Sequence, residues 1–198
     1  FKKIERLAAY LHLSSRNINE RIERYARILL EMQNQHTLSS PLKTIELHEE
    51  EKKIFKEKIA GKVYEMTSTK KSYLLLRLDS FINDSAATYN PSILTIEHVL
   101  PQTVESGSEW EQWWPNPENR ERWVHCLGNL VPLNKRRNSK ARNFDFQTKK
   151  NAYFTGTTGV SSYALTTQVL NHSQWNESVV VQRQTDLVNL LIEKWELS

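Results

Sequence analysis

The chain is poor in several residue types, and each scarcity excludes something. A single cysteine, Cys126, rules out an internal disulfide framework and any zinc site built from several thiolates. A reducing, cytoplasmic setting is the natural expectation. No apolar run approaches the roughly eighteen residues of a membrane span. The opening Phe1-Lys2-Lys3-Ile4-Glu5-Arg6 has neither a signal-peptide core nor an initiating Met, so a soluble fragment of a longer protein is expected. Five glycines and six prolines in 198 residues are too few for a collagenous or low-complexity chain. With 38% hydrophobic residues, among them six Trp, seven Tyr and six Phe, the chain can fill a core and is globular rather than disordered.

Positive charge is modest overall but concentrated. Between 135 and 150, Lys135, Arg136, Arg137, Lys140, Arg142, Lys149 and Lys150 face only Asp145, a local net charge of +6 in a chain of net +4. Most basic runs are solvated helix faces. This one adjoins the motifs described next, which turns the expectation towards phosphate contact by Lys135, Arg136, Arg137, Lys140 and Arg142.

Residues 1 to about 88 read as helical. Ser14 to Glu20 offers capping residues ahead of Ile22, Tyr25, Ala26, Ile28, Leu29 and Met32, whose spacing predicts a core-facing helix. Leu47 to Glu65 reads as a solvated helix that Gly61 ends or interrupts, and Ser72 to Ile82 as a buried one. Asn90-Pro91 breaks the helical run. The β-branched, apolar Ile93-Leu94-Thr95-Ile96 then predicts a short strand running into Glu97-His98 and stopped by Pro101. Residues 103 to 121 read as a loop with a short helix, its tryptophans serving packing rather than base stacking. Leu127 to Leu133 reads as a second strand around a glycine, and Lys135 to Tyr153 as turn and helix. After a Gly/Thr/Ser-rich link at 155–162 come Tyr163 to Leu170 and a closing amphipathic helix from Glu177 to Trp195, with Val180, Leu187, Leu190, Leu191 and Trp195 on its buried face.

The chemistry is written in Ile96-Glu97-His98-Val99-Leu100-Pro101-Gln102, in Leu127-Gly128-Asn129-Leu130, and in Asn138 within the basic run. Hydrolysis of a phosphodiester needs a base for water and a cation for the charge that builds on phosphorus and the leaving oxygen. His98, with an acidic neighbour at a strand end, is the candidate base. Glu97 and the carboxamide oxygen of Asn138 are hard donors suited to Mg²⁺ or Mn²⁺. Successive strand residues face opposite ways, so Glu97 and His98 share one site only where the strand ends or distorts. Asn129 is read as the group that orients the His98 ring or its loop, with a plain hairpin turn at Gly128-Asn129 as the alternative.

These segments, together with Asn138-Ser139, Asn143, Phe146 and Lys149, resemble the HNH (His-Me finger) domain at the C-terminus of GmrSD-type restriction endonucleases. The site is also similar to the HNH domain of RNA-guided CRISPR nucleases, where an acidic-His pair precedes two asparagines nine residues apart. The apolar stretch before the motif and the Trp195 helix extend the resemblance over most of the chain. It implies a mainly α fold with a small embedded ββα-metal motif: a helical subdomain over 1–90, the nuclease core over 91–155, and C-terminal helices over 156–198 packed on that core. It implies one divalent cation, DNA nicking or cleavage in bacterial restriction and antiviral defence, and an upstream NTPase or modification-sensing domain. Many HNH sites carry Asp where this chain has Glu97, whose longer side chain could reach the metal through water. Two other readings stand beside it, a non-catalytic DNA- or partner-binding helical module and an RNA-directed nuclease.

Overall fold

A computed structural model describes residues 1–34, 41–83, 94–134, 144–151 and 163–198. The fold is mainly helical with one small sheet, as expected, and it divides into two compact units. Unit 1 is Phe1–Ile59 with Ile192–Ser198, and unit 2 is Ala60–Leu191.

Unit 1 holds α1 (Lys2–Leu13), α2 (Ile18–Asn34) and most of α3 (Glu49–Ala60). Asn17 caps α2, its Oδ1 accepting the Glu20 N–H at 2.9 Å. The core here contains Leu7, Tyr10, Leu13, Ile28, Phe55 and Trp195, with the Phe55 and Trp195 rings stacked 5.0 Å apart. The expectation for α2 is corrected. Of its apolar stripe only Ile28 is buried, while Ile22, Leu29 and Met32 are exposed, because the spacing marks an apolar face without saying whether anything covers it.

Unit 2 carries the motifs. Gly61 follows α3, Val63–Glu65 forms a 3₁₀ turn, and α4 (Ser68–Ile82) buries Leu74, Leu75 and Leu78. Strand β1 (Leu94–His98) pairs antiparallel with β2 (Leu130–Asn134), matching Leu94 with Asn134 and His98 with Leu130. In a sheet of two strands each has a free edge, so Pro132, which has no N–H to give, is tolerated opposite Ile96. Between the strands lie α5 (Glu109–Trp113) and α6 (Pro117–Trp123), two short helices where one was expected. Ser108 and Asn116 cap them, and Pro117 at the first position of α6 sacrifices no helical hydrogen bond.

The strand expected over Leu127 to Leu133 begins later. Leu127–Asn129 is a 3₁₀ turn and β2 starts at Leu130, which also sets aside the two-residue hairpin. The reason is the close approach of α9 (Glu177–Lys194): a Cβ on Gly128 would sit 2.5 Å from the Val180 carbonyl oxygen. Gly128 is there to let the turn touch a helix backbone. Gln184 Oε1 accepts the Gly128 N–H at 2.7 Å, and the buried Arg183 donates to the carbonyls of Leu127, Gly128 and Leu130. Short helices α7 (Phe146–Lys149) and α8 (Ala164–Thr167), with a 3₁₀ turn at Gln168–Asn171, complete the described elements, and Asp145 caps α7 through the Thr148 N–H at 2.7 Å.

The core of unit 2 gathers Val99, Leu100, Trp110, Trp114, Val131, Phe146 and Trp175. Its tryptophans pack rather than offer stacking platforms, and their N–H groups are spent inside: Trp110 on Phe144 O at 3.0 Å, Trp114 on Trp175 O at 2.7 Å. On α9, Val180, Leu187 and Leu191 are buried as expected, whereas Leu190 is half-buried. Among the described residues, no helix is long and apolar enough to cross a membrane.

Candidate active site

His98 ends β1, and the chain then turns through Val99 and Leu100 to Pro101. Asn129 holds that turn. Its Oδ1 accepts the Leu100 N–H at 2.7 Å and the Trp175 indole N–H at 3.0 Å, while its Nδ2 donates to Leu100 O and Val124 O, each at 3.0 Å. The side chain is fully buried, with its carboxamide engaged at both ends. Asn129 therefore ties together three segments, the loop after β1, the end of α6 and Trp175, and bonds the loop rather than the His98 ring.

Glu97 and His98 are both buried and meet different neighbours, as the alternation of a strand requires. Glu97 Oε1 pairs with Lys149 Nζ at 2.8 Å, and the same ammonium donates to the His98 carbonyl oxygen at 2.8 Å. Lys149 is only 1% exposed, so α7 locks the strand end from within. Burial pushes the Glu97 carboxyl up and the Lys149 ammonium down, and their mutual attraction opposes both shifts. Lys149 and Lys150, counted in the basic run, are turned to protein partners; Lys150 Nζ donates to His172 O at 2.7 Å.

The His98 ring lies in a cluster that the sequence reading did not assemble. Its Nε2 is 3.1 Å from His125 Nδ1, and its Nδ1 is 3.4 Å from Gln102 Nε2. Tyr64 meets His98 edge-on at 4.1 Å and stacks on His125 at 5.4 Å, and Lys71 Nζ lies 3.7 Å from the Tyr64 ring centre. Burial is the main cause that lowers His98 to about 3, with the charges of His125, Lys149 and Lys71 adding to it. The ring is neutral throughout the neutral range. His125 is lowered too, first by burial. The one signal for His125 is its place two residues ahead of Leu127-Gly128-Asn129; nothing local marks Tyr64.

Of the expected site residues, the fold thus brings Glu97, His98 and Asn129 to the foot of one small sheet. Asn138 and the basic residues Lys135, Arg136, Arg137, Lys140 and Arg142 lie outside the described residues, as does Asn143. Glu97 is the hard oxygen donor expected of a Mg²⁺ or Mn²⁺ ligand, but Lys149 already engages one of its oxygens. Among the described residues no group of three or more His, Cys, Asp or Glu side chains could hold a metal ion, so they do not by themselves make a metal centre.

A mainly helical domain with a two-stranded sheet, a histidine at the strand end and a buried asparagine fastening its loop defines the class of site. The family model of the GmrSD restriction endonuclease C-terminal domain matches residues 49–190, more than half of the chain, and the chain belongs to that family. It is thereby placed among the nuclease domains of restriction systems, for which DNA is the substrate. No curated protein matches the chain.

Proposed function

We propose that this domain is an HNH-type endonuclease or nickase of a bacterial restriction and anti-phage system, in which His98 activates water for phosphodiester hydrolysis. The observation that carries the reading is the neutral His98 at the end of β1, on a loop that Asn129 fixes by hydrogen bonds to both the N–H and the carbonyl oxygen of Leu100. A base must be unprotonated and held still. Here water gives its proton to the imidazole, its oxygen bonds to phosphorus, one P–O ester bond breaks, and the leaving oxygen takes up a proton from solvent. Burial makes His98 a weak base when alone; an anionic phosphodiester beside it acts in the opposite direction, because a nearby negative charge favours the imidazolium.

Phosphate contact falls in this reading to Lys135, Arg136, Arg137, Lys140 and Arg142, which sit next in sequence to β2. The divalent cation, with Glu97 and Asn138 as its ligands, is carried by the resemblance alone, and the described residues are asked only for proton transfer and for fixing the loop. Cytoplasmic location and an upstream NTPase or modification-sensing domain belong to the same reading.

The test is nicking of supercoiled plasmid by the purified chain with added Mg²⁺ or Mn²⁺. His98→Ala is expected to lower the rate by about 10² to 10⁴ while the fold persists. Equal nicking by the variant would show that His98 is not the base. The engagement of Glu97 by Lys149 favours a second reading, a DNA- or partner-binding module without catalysis, and DNA binding with no nicking under any metal would establish it.

A further inference from the structure

His98 touches two side chains through its two ring nitrogens, and these contacts bear on where its proton sits. Gln102 presents its amide nitrogen, a donor, to His98 Nδ1 at 3.4 Å, and this orientation assigns Nδ1 as the acceptor. A neutral imidazole then carries its proton on Nε2, which donates across 3.1 Å to His125 Nδ1. The rings meet edge to face, at an interplanar angle of 71°. His125 is itself held. Tyr64 stacks almost parallel on it, at 10°, and the Tyr64 backbone N–H donates to the His125 carbonyl oxygen at 3.0 Å. Lys71 anchors Tyr64 in turn by donating to its carbonyl oxygen at 3.0 Å. The two nitrogens of His98 thus have different surroundings: Nε2 faces the braced His125, and Nδ1 faces Gln102, an exposed side chain that solvent can replace.

We propose that His125 is a positioning residue, which holds His98 as its Nε2–H tautomer and so leaves Nδ1, on the Gln102 side, as the atom that takes the proton from water. This rests on the reading of His98 as the base. When Nδ1 takes that proton, the Nε2–H···Nδ1 bond to His125 persists and the imidazolium keeps its acceptor. A ring without such a partner would divide between two tautomers and two orientations, with the accepting nitrogen misdirected in part of the population.

The tautomer is read directly by long-range ¹H–¹⁵N correlation spectra of the histidine rings in the full chain at neutral pH, without metal or DNA. The expected result is an Nε2–H pattern for His98. His125→Phe, which keeps an aromatic ring beside Tyr64 but offers no acceptor, is expected to shift that pattern towards a mixture and to slow plasmid nicking by about 10- to 100-fold. His125→Asn, whose side-chain carbonyl can accept, is expected to restore both in part. An Nδ1–H pattern for His98 in the unmodified chain would overturn the proposal whatever the variants do, because His98 Nε2 would then accept from His125 instead of donating to it. So would a His125→Phe variant with unchanged His98 signals and unchanged nicking. If His98→Ala nicks like the unmodified chain, the reading on which the positioning role rests falls, while the tautomer spectrum still decides whether His98 donates to His125 or accepts from it.

Discussion

Separating Glu97 from Lys149 should reveal how strongly α7 fastens the strand end. The side chains are 11% and 2% exposed, so solvent screens the pair little. Replacing one member leaves the other charged, buried and without its partner, a loss of about 3–5 kcal/mol. Lys149→Met and Glu97→Gln should both destabilise unit 2 on that scale, and the double variant should lose less than the sum of the two. Their pH dependences should have opposite signs. In Lys149→Met the carboxyl escapes by taking a proton, its folded pKa standing above the unfolded value. The defect is therefore least below the ordinary carboxylate range and grows as pH rises through the raised value. In Glu97→Gln the ammonium escapes by losing a proton, so the defect should shrink as pH rises towards the ordinary lysine range. Urea unfolding followed by tryptophan fluorescence, in chelator, reports on this unit because five of the six tryptophans lie in it. Single variants that each lose under about 1 kcal/mol, with no difference in pH trend, would refute the buried pair.

His98 should make the unmodified chain acid-labile: with its folded value about 3 and an unfolded value near 6.5, its stabilising share is intact above about 6.5 and is lost as pH falls towards 3, at up to roughly 1.4 kcal/mol per pH unit. Comparing urea midpoints of the unmodified chain and His98→Gln between pH 7 and 4 isolates that share, and parallel curves would contradict it. Gly128→Ala should cost about 1–3 kcal/mol, because its methyl meets the Val180 carbonyl; a thermal melt that does not move would mean that α9 gives way. Replacing Lys135, Arg136, Arg137, Lys140 and Arg142 with Ala should flatten the logarithmic salt dependence of DNA affinity by roughly 4, at about 0.9 per phosphate contact. An unchanged slope would make the run a solvated face.

What the sequence determined by itself was local chemistry and its order. Capping residues marked the start of α2 and the β-branched run before Glu97 marked β1, since each acts through its own few neighbours, whereas the break expected at Asn90-Pro91 lies outside the described residues. Gly128-Asn129 was legible as a special position, though not as a 3₁₀ turn, because the cause is the backbone of α9 some fifty residues later. The stripe of α2 was legible too, but periodicity cannot say what covers a face, and here Ile22, Leu29 and Met32 are exposed. Tertiary structure alone decided the partners of the site. It set Lys149 on Glu97 and His125 on His98, and it spent Asn129 on the backbone N–H and carbonyl of Leu100. Those pairings join residues up to fifty-two positions apart, and burial, which moves the proton affinities of Glu97, His98 and Lys149, exists only once the chain has closed around them.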